Sequence, residues 1–276
     1  MSSVTDVGRR RTPCFAESAD QHAGGIVRLA PVGDPHAPHA HPSVVMCSAC
    51  RLRAECLPGG LERDALDALA GRLVSTRRKV AQGEPLFRAG DAFDALFAIW
   101  TGFFKTVVMT RQGREQVTGF QMAGDLVGLD GIHAGRMTVD AIALEDSQVC
   151  VIPFTGLQDV AREAPLLQER LHRLMSREIV NDHNSMLHRG SMYAEERLAA
   201  FLLDLAARLQ ARGYSGSSLH LRMSRGELGS YLGLKLETVS RTFSRFQAQG
   251  LLDVSHRRIS ITDPEGLRQV IDGAEM

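Results

Sequence analysis

Three cysteines lie close together in the first quarter of the chain, in the pattern Cys47-x2-Cys50-x5-Cys56. Thiolates at this spacing can converge on one metal centre from a single loop, because sulfur is a soft ligand suited to zinc and to iron–sulfur clusters. Both kinds of centre usually take four protein ligands, and the spacing alone does not choose between them. Cys150 follows much later, and a single cysteine at a strand end is more often a small buried apolar residue than a ligand.

A second candidate site lies near the C-terminus. Ser224 and Glu227 have the spacing of a capping box, in which each side chain accepts a hydrogen bond from the backbone N–H of the other residue. A short helix from this box, a turn at Gly233 and a second helix over 236–249 predict a helix-turn-helix. Gly229 and Val239 occupy two further positions that this motif constrains, one by close packing and one by an apolar contact.

The charge distribution places any nucleic-acid contact in this same region. The 276 residues contain 32 Lys plus Arg and 32 Asp plus Glu, so the formal net charge is zero. This balance excludes a generally basic nucleic-acid-binding surface and leaves only a local patch. Between residues 222 and 258, seven basic and three acidic residues give a net charge of +4. The segment includes a predicted hairpin wing, with strands over 251–254 and 259–261.

Composition also bounds the class of protein. Hydrophobic residues make up 44% and charged residues 23% of the chain, which predicts folded cores rather than general disorder. No run approaches the ~18 apolar residues of a membrane span, so we expect no membrane partner. Arg9-Arg10-Arg11 is not followed by an apolar run, so we expect no secretory signal. A cytoplasmic protein is expected, and there clustered thiols more often indicate metal or redox chemistry than disulfides.

Short strands and evenly spaced turns characterise the middle of the chain. Glycines recur every 11 or 12 residues, and the segment Arg111–Arg114 predicts a hairpin tip. We therefore predict a small antiparallel β-roll over 76–155. A preceding helix is predicted over 61–74, and helices follow Pro165 and Ala194.

The predicted fold class is α+β, and the chain is predicted to have four parts. They are a disordered tail (1–46), a cysteine loop and β-roll sensor domain (47–164), a dimerisation helix (165–190) and a winged helix-turn-helix DNA-binding domain (191–276).

This order of elements, together with several short motifs, resembles a known family. The order β-roll, long helix, winged helix-turn-helix is that of the cyclic-AMP receptor protein superfamily of bacterial regulators. Within it, residues 44–270 look most similar to the oxygen-sensing fumarate-and-nitrate-reduction regulators. The resemblance rests on the three clustered cysteines, Thr118-Gly119-Phe120, Ala123–Gly128, Val149-Cys150 with Ile152-Pro153-Phe154, Ala194–Phe201, Tyr231–Leu234 and Glu237–Arg241.

The resemblance implies a function and a cofactor. It implies a homodimeric transcription regulator, an activator or a repressor, that contacts RNA polymerase and responds to oxygen through a [4Fe–4S] cluster. Cys150 lies in the segment that the family uses to complete the cluster, so the implied ligands are Cys47, Cys50, Cys56 and Cys150. Cys14 matches no family position and is interpreted as a spare thiol. Arg51, between the ligands, is either a cation that tunes the cluster or a solvated loop residue.

The second helix of the motif supplies the candidate DNA-reading residues. Glu237, Ser240 and Arg241 are spaced i, i+3 and i+4, so they share one helix face. Their side chains can bond to base edges in the major groove. They match the family's reading residues, which implies an inverted repeat resembling TTGAT–N4–ATCAA. Thr242 replaces a usual aliphatic residue, so Phe243 and Phe246 must supply that packing, and Arg222, Arg225, Lys235 and Arg245 are expected to contact phosphate or solvent.

The long helix is the only extended candidate for a dimer interface. Its seam, by 3–4 spacing, is Met175, Ile179, Asp182 and Met186, which places an acid among apolar residues. In a symmetric dimer the two Asp182 carboxylates would repel each other, so the interface is expected to be marginal. Alternatively, Asp182 turns to solvent.

Three alternatives compete with the cluster. A regulator of the same fold could sense a cyclic nucleotide or another small ligand, with the cysteines binding zinc. However, the segment Gly124-Asp125-Leu126 and the sequence Arg136-Met137-Thr138 depart from the Gly-Glu-Leu and Arg-Ser of nucleotide sensors. A haem sensor would need a ligand such as His133, which is better interpreted as a surface residue. No nucleophile–base set or phosphate loop is evident, so we do not expect an enzyme.

Overall fold

The computed structural model describes residues 47–273 of the chain. The tail predicted to be disordered (1–46) and Cys14 lie outside these residues. The described part begins with a series of tight turns that carry the clustered cysteines, followed by helix α1 (Arg63–Leu73). Leu66 is buried in the middle of this helix, which confirms the helix predicted here.

Two antiparallel sheets form the predicted roll, which confirms the fold class. The hairpin predicted at Arg111–Arg114 joins two neighbouring strands of the second sheet. Helix α2 (Gly131–Ala134) is a single turn that joins a strand of one sheet to a strand of the other along the chain. The first sheet has the order β1 (Thr76–Val80), β8 (Ser147–Pro153), β3 (Ala95–Thr101), β6 (Leu126–Val127). The second has the order β2 (Pro85–Phe87), β7 (Asp140–Ala143), β4 (Phe103–Met109), β5 (Glu115–Met122).

Three helices follow the roll: α3 (Phe154–Glu163), α4 (Pro165–Ser191) and α5 (Ala194–Ala211), the last of which belongs to the C-terminal domain. The sequence predicts α4 and α5 but not α3. Helix α3 begins directly after the last strand and has no side-chain cap at Pro153, so no local signal marks its start. Helix α4 buries only Leu167 and Leu174 along its length, which leaves most of its surface uncovered within one chain.

The C-terminal domain contains the predicted helix-turn-helix, α6 (Arg225–Leu232) and α7 (Leu236–Ala248), and its wing, β10 (Leu252–Ser255) and β11 (Arg258–Ile261). The capping box is present: the Glu227 N–H donates to Ser224 Oγ (3.2 Å), and the Ser224 N–H donates to the Glu227 carboxylate (2.7 Å). Gly233 ends α6 with a φ of +68°, which favours glycine. Strand β9 (Ser218–His220) and helix α8 (Pro264–Ile271) were not predicted.

Packing between the two helices of the motif follows the expectations from sequence. A Cβ at Gly229 would lie 2.7 Å from the Leu234 carbonyl oxygen, so this contact requires glycine. Val239 is fully buried between α6 and α7. Thr242 is also buried, and its hydroxyl donates to the Thr238 carbonyl at 3.0 Å. Phe243 and Phe246 are both buried and supply the apolar packing, as predicted for this departure from the motif.

One apolar core continues from the roll into the C-terminal domain. Residues of β4 and β5 pack in the same cluster as residues of α5, α6 and α7. Aromatic contacts cross the boundary, including Phe120 with Phe201 (6.0 Å between ring centroids) and with Tyr231 (5.2 Å). Polar contacts reinforce them, since the Ser230 hydroxyl accepts from the Val117 N–H at 2.9 Å. Among the described residues, no helix is long and apolar enough to cross a membrane.

Candidate metal centre and DNA-reading helix

The structure brings Cys47, Cys50, Cys56 and Cys150 to one pocket. The first three come from the tight turns before α1. These turns are held by backbone bonds such as Cys50 N–H to Cys47 carbonyl (3.2 Å) and Cys56 N–H to Leu52 carbonyl (2.8 Å). The consecutive turns let all three thiols approach from one segment of chain, as their spacing predicts.

Cys150 reaches the pocket from the roll. It lies in β8, the strand between β1 and β3, where its backbone partners are Arg77 and Ala98. The pocket wall is otherwise mainly apolar, with a basic side chain from the loop and one from β1. Its remaining lining residues are Leu52, Arg53, Pro58, Val74, Arg77, Ala98, Ile99, Trp100 and Ile152.

Burial changes the acidity of these thiols. It raises the pKa of Cys47 to about 11 and the pKa of Cys56 to about 12. Burial also raises the pKa of Cys150, although the nearby Arg77 guanidinium acts in the opposite direction. The Cys47 and Cys56 thiols are therefore protonated at neutral pH. A metal centre must displace those protons as it binds.

The donor set of this pocket fits a soft metal centre. Four sulfur donors are present, their surroundings are largely apolar, and a cation lies beside them to balance thiolate charge. Within residues 47–273, no three Cys, His or acidic side chains are already drawn together as a metal requires.

One of the two cations that line the pocket comes from the roll. Arg51 is exposed on the loop, whereas Arg77 lines the pocket. Sequence reasoning missed Arg77 because three consecutive basic residues, Arg77-Arg78-Lys79, are typical of a solvated segment. Only the strand register, which places Arg77 opposite Cys150, reveals its position.

The cysteine loop is attached to the long helix α4 through Arg170. Its guanidinium donates to the main-chain carbonyls of Ala54 (2.7 Å), Glu55 (3.1 Å) and Cys56 (3.4 Å). Three acceptors from consecutive residues fix the last turn of the loop against the start of α4. Sequence reasoning missed this contact, because the arginine and the loop are more than a hundred residues apart.

The candidate DNA-reading residues lie in the first turns of α7. Glu237 and Arg241 are exposed and Ser240 is half-buried, so the face that they share is accessible to a ligand. Lys235 is exposed directly before the helix. Arg245 is ion-paired with Glu195 of α5, although most of its side chain remains exposed.

Two of the arginines expected to contact phosphate or solvent are half-buried and have partners within the protein. Arg222 is ion-paired with Glu145 of the roll at 2.5 Å. The Arg225 guanidinium lies over the Phe243 ring, 3.4 Å from its centroid, and burial lowers its pKa to about 10. This contact packs the Arg225 side chain between α6 and α7, and a phosphate contact of Arg225 stays a prediction.

The predicted dimer seam lies on an uncovered part of α4. Ile179 is 55% exposed and Met186 65% exposed, while Met175 is half-buried. Asp182 is exposed and borders a cavity of about 270 Å³ between α4, the roll and α5. Within that cavity, burial and the Asp182 and Asp125 carboxylates raise the pKa of Glu178.

The residues that depart from the motifs of nucleotide sensors make contacts within the protein. The buried Asp125 carboxylate binds Arg208 (2.7 Å) and Arg212 (2.6 Å) of α5. Met137 is buried, and the Thr138 hydroxyl donates to Asp130 at 2.8 Å. Among the described residues, these groups are therefore already satisfied within the protein. His133 is exposed on α2, as expected for a surface residue.

Two family models match the chain. Residues 77–164 match the cyclic nucleotide-binding domain, and residues 196–270 match the Crp-like helix-turn-helix domain. The first covers the roll with α3, and the second covers α5 to α8 with the motif between them. These matches agree with the order of elements in the fold, the roll before the helix-turn-helix.

Curated relatives are similar over most of the chain. The transcriptional activator protein FnrA of Stutzerimonas stutzeri is 44% identical over 228 residues, 83% of this chain and 93% of the relative. The fumarate and nitrate reduction regulatory protein of Escherichia coli is 42% identical over 226 residues, 82% and 90% of the two chains. Among solved structures, FixK2 from Bradyrhizobium japonicum has a TM-score of 0.65 at 27% identity, covering 71% of this chain and 96% of that one.

Proposed function

The chain belongs to the family of the fumarate and nitrate reduction regulators, and we propose that it is their oxygen-responsive, cluster-containing type. It is a transcription regulator with a DNA-binding helix-turn-helix, and its curated relatives are regulators rather than enzymes. The proposal is that a [4Fe–4S] cluster controls the dimer and thereby its binding to DNA.

The observation that carries this proposal is the pocket that all four cysteines line. Cys47, Cys50, Cys56 and Cys150 would hold the cluster, and the apolar wall would limit the access of water. When bound, an iron–sulfur cluster supplies a centre that reacts with oxygen and loses iron. The protein's own contribution is to present four sulfurs, balance their charge with Arg77 and connect the loop to α4 through Arg170.

The proposal includes a homodimer and a specific DNA site. The exposed apolar side chains of α4, including Ile179 and Met186, support a two-fold interface along this helix. Two copies of α7 would then present Glu237, Ser240 and Arg241 to the half-sites of a repeat resembling TTGAT–N4–ATCAA. RNA polymerase is the proposed partner of the DNA-bound dimer.

A regulator of the same fold with a small-molecule ligand is the second candidate. The match of residues 77–164 to the cyclic nucleotide-binding domain favours it. The pairing of Asp125 with two arginines opposes it, and so does Met137, which is buried and has no hydrogen-bond donor for a phosphate. In this second candidate function, the cysteines would bind zinc, which has no redox role.

Anaerobic purification followed by absorption spectroscopy and metal analysis distinguishes the two candidates. We expect a coloured protein with about four iron and about four sulfide per chain, as a cubane with four thiolates requires. Single Ser substitutions of Cys47, Cys50, Cys56 or Cys150 should each abolish the colour. Cys14→Ser is the matched control and should retain it. A colourless protein with about one zinc per chain would overturn the cluster and leave the DNA-binding function intact.

A further inference from the structure

A stacked pair of side chains, Arg77 and Trp100, forms one wall of the thiol pocket. The Arg77 guanidinium carbon lies 3.9 Å from the centroid of the Trp100 ring. Both residues line the pocket together with the four cysteines. At this distance the indole face attracts the cation and holds the guanidinium flat, which limits its rotation.

The strand pairing of the first sheet determines where Arg77 and Trp100 lie. Arg77 in β1 is directly opposite Cys150 in β8. On the other side of β8, the pairing shifts register between Ile99 and Thr101, and Trp100 is the extra residue of this irregularity. A bulge redirects the side chain of its extra residue and is often found beside a functional site. Here it accompanies an indole that lies over the arginine beside Cys150.

The hydrogen bonding of Arg77 is incomplete in the part of the chain that the structure describes. Its Nε is buried and has no hydrogen-bond partner there. A buried donor without an acceptor is costly, and more so on a charged group. The groups beside it are thiols, which are poor acceptors when protonated and strong ones when ionised. The arginine is therefore arranged for an anion in this pocket.

We propose that Arg77, held in place by Trp100, is a positioning residue that binds the negatively charged thiolate centre of this pocket. This inference rests on the proposed function, since the centre it serves is the cluster. The guanidinium donates toward the Cys150 side of the centre and balances its charge. The indole covers the guanidinium and keeps water from competing for its donors.

Two measurements on the anaerobically loaded protein test this role. A cation beside a cluster favours the more negative of its redox states, so Arg77→Gln should shift the reduction potential to more negative values. The same variant should release iron to a ferrous chelator roughly tenfold faster or more, since a charge-assisted hydrogen bond is lost. Trp100→Ala should change both quantities in the same direction and by less, because the arginine remains but is no longer held.

The neighbouring arginine offers a matched control. Arg78 is next in β1, and its guanidinium lies over Phe97 and donates to the Leu86 carbonyl, away from the thiols. Arg78→Gln should therefore leave the potential and the rate of iron release unchanged. Arg77→Lys should shift the reduction potential by less than Arg77→Gln does, because lysine retains the positive charge but not the planar group that lies over Trp100. This rescue separates an electrostatic role from simple loss of packing.

The outcomes separate this inference from the function on which it rests. If the parent protein holds no cluster, the proposed function fails. If the parent holds a cluster but Arg77→Gln and Arg78→Gln have the same potential and the same rate of iron release, the positioning role of Arg77 is overturned. Should Arg77→Gln fail to fold, Arg77→Lys and Trp100→Ala carry the same comparison against Arg78→Gln.

Discussion

Arg170 of the long helix α4 donates a hydrogen bond to the main-chain carbonyl of Cys56 in the cysteine loop (3.4 Å). The same guanidinium also binds the two preceding carbonyls, so the contact follows the backbone of the loop rather than any side chain. A change in the shape of this turn therefore changes the bonds available to the start of α4. This gives the thiol pocket a direct connection to the helix of the proposed dimer interface.

Removing this connection should uncouple the two sites. In Arg170→Gln, we expect the anaerobic protein to keep its colour but to dimerise roughly 5- to 30-fold more weakly, which corresponds to about 1–2 kcal/mol of lost coupling. Sedimentation equilibrium of the loaded and empty forms measures this difference. Arg173→Gln is the control, since Arg173 makes only an exposed ion pair with Glu169 among the described residues. Equal dimerisation of the two variants would contradict the connection.

Asp182 should set the marginal stability of the dimer. Two carboxylates brought together in a partly desolvated interface repel each other, so Asp182→Ala should dimerise and bind its DNA site even in air. Sedimentation of this variant in air measures the effect directly. Asp159→Ala, which removes an exposed acid of α3, should behave as the parent. A monomeric Asp182→Ala, under conditions where the anaerobic parent is a dimer, would exclude this role.

Arg241 should read a base, whereas Arg245 should contribute only general attraction. Arg241→Ala is expected to cost about 1–3 kcal/mol on the specific site and to relax the preference at the guanine that it reads. Arg245→Ala should weaken binding to all sequences alike and lower the salt slope by about one unit, once DNA displaces it from Glu195. Competition binding over a series of salt concentrations measures both. Unchanged sequence preference in Arg241→Ala would show that the reading face lies elsewhere.

Metal binding to the thiol pocket should depend steeply on pH. The raised pKa values of Cys47, about 11, and Cys56, about 12, mean that both thiols are protonated at neutral pH. Binding must release these protons, so apparent affinity rises with pH, with a slope that counts the protons released. Titration of the apo-protein with Co²⁺ from about pH 6 to about pH 8, followed by thiolate absorption, should give a slope above one. A slope near zero would mean that the thiols are already ionised.

Local signals in the sequence predicted the elements that begin or end at a few neighbouring residues. The Ser224–Glu227 box and Gly233 determine the helix-turn-helix within a short segment, and the structure confirms them. The spacing predicted that Cys47, Cys50 and Cys56 converge, and the family resemblance added Cys150. By contrast, Arg77 and Trp100 meet only through the register of the first sheet, so no local pattern could indicate their contact.

The apolar core shared by the roll and the C-terminal domain limits which domains can be exchanged with those of other regulators. A chimeric regulator made by exchanging everything after α4 would leave Phe103, Val107 and Phe120 of the roll without their native partners. The newly exposed surface would favour aggregation unless the incoming domain supplied side chains of matching shape. Altered DNA specificity is therefore better engineered by substitutions on the outer face of α7, where Glu237 and Arg241 lie, than by replacing the domain.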